Sequence, residues 1–255
     1  MDEHTDSGAT RPTMVITGER TVPGIWHENY WFRRHEVVYE WVASRVAGLE
    51  VLEAGCGEGY GADLLARSAA GVIALDYDEY ATGHARSAYP DVPVVRGNLV
   101  ALPLADHSVD AVVSLQTIEH LWDQPTFVAE CVRVLRPGGL LVVSTPNTLT
   151  FPPGNIYHPR ELEPSELEAL VAPVADVEAH LGLWHGPRLR SWEDENGSIV
   201  DAQIAGDPDT WSPATATMVR DVTTSDFELT DGTLEDSLDL VISARRRRET
   251  PVSGR

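Results

Sequence analysis

The chain has 255 residues, 42% of them hydrophobic, and a formal net charge of -21. That length suits one domain with decorations around a sizeable core. The charge opposes binding to bare nucleic acid or an anionic membrane. No long apolar stretch or signal-peptide pattern is present, so no membrane span and a cytoplasmic location are expected. The two cysteines, Cys56 and Cys131, suggest neither a disulfide framework nor a metal knuckle.

Residues 1–13 are polar without periodicity and read as a disordered tail. Residues 14–244 read as a single domain, with 14–48 as an N-terminal cap and 146–236 as loops and an insertion; 245–255 read as a basic flexible tail containing Arg245 to Arg248. From Glu28 to about Val46, Trp31, Val38, Trp41, Val42 and Val46 recur near helical spacing. The helix predicted there precedes the first strand and can cover a cleft, with Arg34 placed to meet a ligand's carboxylate. Glu50–Ala54 is a predicted strand, followed by glycine-rich residues 55–61 and a helix over 59–68. Gly71–Asp76 is strand two, a helix follows over 79–87, and Val92–Val95 is strand three.

Val109–Leu115 is strand four, and Gln116-Thr117-Ile118-Glu119-His120 leaves its C-terminal end, where open parallel sheets place their chemistry. A helix over 124–135 has Pro125 in its first turn and stops at Arg136-Pro137-Gly138-Gly139. Leu140–Thr145 is strand five. Residues 146–163 form a Pro-rich loop with Asn155, Tyr157, His158, Arg160 and Glu161. A short helix over 164–171 and a candidate strand over 176–183 follow. Residues 184–225 carry Trp184, Trp192 and Trp211 and are too long for an ordinary connection, which predicts a functional insertion. Ser237–Ala244 is the last strand. The alternation predicts an α/β doubly wound sheet.

Glycine spacing alone leaves the ligand of the turn open. Gly57-x-Gly59-x-x-Ala62 loosely fits a dinucleotide fingerprint. Glu53 discriminates, because it ends the strand beside the ligand's charged middle. A carboxylate about 5 Å from a pyrophosphate charge costs roughly 3 kcal/mol at an effective dielectric near 20, and attracts a sulfonium by a similar amount. Glu53 therefore favours S-adenosylmethionine over NAD. Asp76, at the tip of strand two, can accept hydrogen bonds from ribose hydroxyls. The amide of Asn98 can read an adenine edge.

These residues resemble the class I S-adenosylmethionine-dependent methyltransferases. Glu53-x-Gly55-x-Gly57-x-Gly59 is similar to their first motif and Asp76 to their second-strand acid; Asn98 stands where an Asp is usual, and Arg136-Pro137-Gly138-Gly139 before strand five is typical. The resemblance covers about residues 28–172 and, more loosely, the last strand. It implies a Rossmann-like sheet of seven strands, mostly parallel with an antiparallel last strand. The implied cofactor is S-adenosylmethionine, with S-adenosylhomocysteine as product. It would be held by Arg34, Glu53, Gly55, Gly57, Gly59, Asp76, Tyr77, Asn98, Leu99 and Gln116. A narrower likeness lies in Ile118-Glu119-His120, Ser144-Thr145-Pro146-Asn147 and Tyr157-His158-x-Arg160-Glu161-Leu162, which are similar to bacterial glycan methyltransferases. With Glu28 to His35, His185 to Arg190 and Asp239-Leu240, the chain resembles the actinobacterial mycofactocin oligosaccharide methyltransferases, a family also linked to methylated glucose polysaccharides. The implied acceptor is a glucose hydroxyl on a short glycan.

Methyl transfer to an alcohol needs positioning and a base with pKa near the working pH, and histidine suits that role. His120, beside the expected methyl donor, is the first candidate, with Glu119 or His158 orienting it; His158 is the second. A metal is the rival device. Related quinone O-methyltransferases carry an acid two residues before the position of Ile118. Gln116 stands there in this chain, which weakens a hard-cation site, so no metal is expected. The three tryptophans of the insertion are candidates for stacking on sugars. Competing readings are a methyltransferase acting on a quinone or phenol, a cofactor-binding protein without catalysis, and a dehydrogenase.

Overall fold

A computed structural model describes residues 20–248. The tail expected over 1–13, the first residues of the N-terminal cap and residues 249–255 lie outside that range. Eight strands form one sheet in the order β3-β2-β1-β4-β5-β8-β6-β7. They are β1 (Glu50–Ala54), β2 (Gly71–Asp76), β3 (Val94–Arg96), β4 (Val109–Leu115), β5 (Leu135–Pro146), β6 (Ala175–His185), β7 (Phe227–Thr230) and β8 (Asp239–Arg246). The first five pair in parallel; β8 runs antiparallel between β5 and β6, and β7 is antiparallel to β6.

The expected count of seven is thus one short. The missed strand, β7, has four residues with only Phe227 buried, too short to show an alternation.

The strands run apolar because helices cover both faces of the sheet. Neighbouring residues go to opposite sides: Leu52, Val112 and Leu141 join the core beneath Phe127 and Val128, whereas Val51, Val113 and Val142 join the core beneath Val38, Val42 and Leu65. The helices are α1 (Asn29–Ala43), α2 (Tyr60–Ala66), α3 (Glu79–Ala88), α4 (Gln124–Val134) and α5 (Pro164–Val171). Asp78 starts α3 by accepting from the amides of Tyr80 and Ala81, and Asp123 starts α4 by accepting from Thr126.

The insertion forms a third core. Helices α6 (Pro187–Asn196), α7 (Ile199–Ile204) and α8 (Pro213–Asp221) bury Leu189, Ile199, Val200, Met218 and Val219 against Tyr30 of α1, with Trp192 and Trp211 packed on the same cluster. Trp211 also meets Trp26 edge-on at 5.8 Å and donates to the Gly206 carbonyl. Trp184 fills the space above Gly182 and Gly232. These three rings are packing residues, not stacking platforms.

The expected tail begins too early. β8 runs to Arg246, and the arginines there are engaged. Arg246 donates to the carbonyls of Val132, Arg133 and Leu135 at the end of α4. Arg247 donates to those of Ala172 and Pro173, just past α5. Both place a cation where helix carbonyls lack partners.

Candidate active site

The strand order reverses between β1 and β4, and such switch points open a crevice at the C-terminal ends of the strands. A two-lobed cleft lies there, with volumes of about 490 Å³ for the inner lobe and 1060 Å³ for the outer. The lobes meet at Gly55, Gly57, Gln116 and His120.

The turn after β1 needs its glycines. Gly55, Gly57 and Gly59 all have positive φ. A Cβ on Gly55 would also fall on the Thr117 side chain, and one on Gly59 would come within 2.8 Å of Ala85. Asp76 braces this turn: one carboxylate oxygen accepts from the Gly57 amide and the other from Asp78, each at 2.9 Å. Each oxygen keeps a lone pair for a ribose hydroxyl. Asp76, Tyr77, Asn98 and Leu99 together line the outer lobe. Asn98 spends its side-chain oxygen on the Val100 amide, which leaves its NH₂ group for a base edge.

Gln116, at the end of β4, holds φ of 52°, a costly region for a side chain of this kind. Its backbone amide donates to the Ser144 carbonyl at 3.0 Å, and its side chain reaches Ser144 Oγ at 3.3 Å. The strained residue thus faces both lobes from a fixed position.

Glu53 lies elsewhere than its sequence position suggests. It lines neither lobe and is completely buried behind the turn. One oxygen accepts from Tyr39 Oη at 2.6 Å; the other has no partner. Burial pushes its carboxyl up to about 8, so near neutral pH it is mostly uncharged. The argument from its negative charge therefore does not hold in direct form: Glu53 supports the turn from below.

Arg34 reaches the inner lobe from α1 but already has a counter-ion. Its Nε and Nη2 donate to the two oxygens of Asp239 at 2.7 and 2.6 Å, and Nη2 also donates to the Leu238 carbonyl. Nη1 has no partner. Arg20 went unremarked in the sequence. It lines both lobes and packs over the glycine turn, 3.7 Å from where a Gly57 Cβ would stand. Its isolated position ahead of the first helix carried no signal.

Glu119, His120 and His158 come together at the inner lobe, as the motifs suggest. His120 Nδ1 lies 2.8 Å from the Tyr157 carbonyl. A carbonyl only accepts, so Nδ1 carries the proton and Nε2 keeps a lone pair. Burial lowers the imidazole to about 4. His158 meets His120 edge-on at 4.8 Å, but both its nitrogens are occupied. Nδ1 pairs with Glu161 at 2.7 Å and Nε2 with the Asn155 amide at 3.1 Å. Glu119 is buried, accepts from Thr145 Oγ1 at 3.1 Å, and is pushed up to about 8 by desolvation. The group that orients His120 is thus the Tyr157 carbonyl.

One ligand atom from each of Glu119, His120 and His158 lies within 4.8 Å of the others, and no other such trio occurs among the described residues. Closing it on a divalent ion requires Glu119 to lose its proton and His158 to give up a partner.

Residues 184–195 line neither lobe, and the insertion contributes only Ile204. The aromatic lining comes from Trp31, Tyr39, Tyr60, Phe151 and Tyr157 in the inner lobe and from Tyr77, Trp122 and Tyr157 in the outer. Trp122 is 88% exposed and Ile156 87%. No helix among the described residues is long and apolar enough to cross a membrane.

Comparison with known proteins agrees with this geometry. Residues 52–143 match the methyltransferase domain model. A Mycobacterium tuberculosis protein named as a probable S-adenosylmethionine-dependent methyltransferase is 54% identical, the match covering 94% of this chain and 92% of that protein. A ubiquinone biosynthesis O-methyltransferase of Rhizobium rhizogenes is 28% identical over 59% of this chain and 69% of its own. Among solved structures, an S-adenosylmethionine-dependent methyltransferase from Thermotoga maritima superposes with a TM-score of 0.58 at 19% identity, covering 86% of this chain and 93% of that one.

Proposed function

This chain belongs to the S-adenosylmethionine-dependent methyltransferases, and from that premise we propose that it methylates a sugar hydroxyl of a short glucose-containing glycan, of the mycofactocin type or a related methylglucose glycan, in the cytoplasm. One observation carries the mechanism: His120 presents an unprotonated Nε2 at the junction of the two lobes, its tautomer fixed by the Tyr157 carbonyl.

The cleft suits the cofactor. Asp76 offers lone pairs to a ribose, the Asn98 NH₂ group remains for a base, and bare backbone at Gly55 and Gly57 lets a ligand approach closely. When bound, S-adenosylmethionine supplies an electrophilic methyl group on a sulfonium, so the chain need contribute only position and a proton acceptor. His120 Nε2 takes the hydroxyl proton as the oxygen acquires its new bond. It is a weaker base than a free imidazole because burial lowers it to about 4, so positioning carries more of the rate than basicity. His158, fixed between Asn155 and Glu161, walls the imidazole edge-on. Glu119, protonated near neutral pH, adds no negative charge to the lobe.

Two features support a carbohydrate over a charged acceptor. The buried Arg34 is matched by Asp239 and Glu119 is neutral, so this wall has no net charge to offer an anion. The rim exposes Trp122, Ile156, Tyr77 and Tyr157, and such faces stack on the C–H faces of sugars. The second reading, a quinone or phenol acceptor, draws on the likeness to the ubiquinone enzyme. Replacing His120 with Asn tests the mechanism: turnover should fall by roughly 10² to 10⁴ with S-adenosylhomocysteine binding unchanged. Unchanged turnover would remove His120 from the reaction.

A further inference from the structure

Arg34 is 2% exposed and Asp239 1%, and they form a bidentate pair. One donor, Nη1, makes no hydrogen bond of normal geometry, although the Tyr30 hydroxyl also interacts with the guanidinium. A buried donor from a charged group costs free energy until something accepts from it. The Trp31 and Phe151 rings flank the guanidinium, their centroids 5.5 and 6.0 Å from its central carbon, and all three residues line the inner lobe.

Asp239 pairs with Pro146 at the end of β5. In the order β1-β4-β5-β8 it lies three strand spacings, roughly 14 Å, from the glycine turn after β1. Arg34 is thus anchored on the β5–β8 side, with Glu119 and His158. Arg20 instead lies over the turn itself. A ligand carboxylate at Nη1 would also sit beside Asp239, in a region where Asp239 and Glu161 already oppose ionisation of Glu119. An uncharged oxygen meets no such repulsion.

We infer that Arg34 Nη1 donates to an uncharged oxygen of the acceptor, next to the hydroxyl being methylated, and does not hold the cofactor's carboxylate. Arg34 is then a specificity-determining residue: it selects a polyol with a second oxygen within reach of Nη1. The inference rests on the sugar-hydroxyl reading above.

The test is the paired variant Arg34→Gln with Asp239→Asn, which removes both charges and leaves no buried ion alone. Arg34→Lys serves as a second variant that keeps the ion pair and loses Nη1. Calorimetry with S-adenosylhomocysteine should give an affinity within about twofold of the parent for both. The acceptor KM for neutral gluco-oligosaccharides, at saturating cofactor, should rise roughly tenfold or more, the worth of one hydrogen bond from a charged donor. A tenfold loss of S-adenosylhomocysteine affinity with an unchanged acceptor KM overturns the inference, whatever the acceptor. Failure of the parent protein to methylate any neutral sugar, with cofactor binding intact, instead overturns the reading on which it rests.

Discussion

His120 is held neutral by burial, and that has a direct consequence for rate. An ordinary imidazole titrates at 6.5, whereas His120 is lowered to about 4. The profile of kcat/KM reports the free enzyme's base, so it should stay level as pH falls from 7 to 5. A loss of rate through pH 6.5 would show that the base is an unburied imidazole. The neighbouring trio makes a second prediction. Because Glu119 retains its proton and both His158 nitrogens are taken, turnover should survive extensive chelation. Loss on chelation, restored by magnesium, would assign a metal to Glu119, His120 and His158. Asp76 and His120 could be found from the sequence because Asp76 ends an apolar strand and His120 lies in the short turn that follows another. The burial of Glu53 could not, because it depends on Tyr39 arriving from a helix that precedes the strand.

Helices and strands show the same division. β1, β2 and β4 match their expected bounds residue for residue, because continuous apolar runs between turn residues mark buried parallel strands. The insertion did not yield to that logic. Its tryptophans suggested sugar platforms, yet the amphipathic pattern of short helices was the deciding signal, and they close a core against Tyr30. Glu193 accepts from His185 Nδ1, so His185 Nε2 accepts from Tyr30 Oη, which ties α6 to α1. The most exposed aromatic at the cleft is Trp122, just past the short turn that follows β4. Replacing it with Ala should raise the acceptor KM roughly threefold to tenfold with little change in fold stability. An unchanged KM across acceptors of increasing length would remove Trp122 from the binding surface. The arginines of β8 read as a tail because nothing local shows that a side chain caps helices distant in sequence. Arg246→Ala should cost about 1–2 kcal/mol by urea unfolding, through the carbonyls it leaves at the end of α4.

At the scale of the whole molecule, buried ionisable groups give stability a defined pH dependence. Burial raises Glu53 and Glu119 from 4.5 to about 8. The unfolded chain gives up protons above 4.5 that the folded protein keeps, so stability falls as pH rises from 4.5 to about 8. Burial lowers His35 and His120 from 6.5 to about 4, so their contribution is present above 6.5 and lost as pH falls through that window. The two effects oppose each other between 4.5 and 6.5. Above 6.5 only the glutamates act, and Tm should fall from pH 6.5 to 8. Glu53→Gln should lessen that fall; a Tm that rises over the same range would show that neither carboxyl is protonated. The fold and the cofactor cleft were largely legible in the sequence, since both follow from strand tips and turns. The acceptor side was not, because Arg34, Asp239, Phe151 and Trp122 come from four separate segments that meet only in the folded chain. The most direct measurement of the central claim is mass spectrometry of neutral gluco-oligosaccharides and of catechol and quinol acceptors after incubation with S-adenosylmethionine. A gain of one methyl group on the oligosaccharides, absent with His120→Asn, is the predicted result. Methylation of the catechol or quinol alone would contradict it.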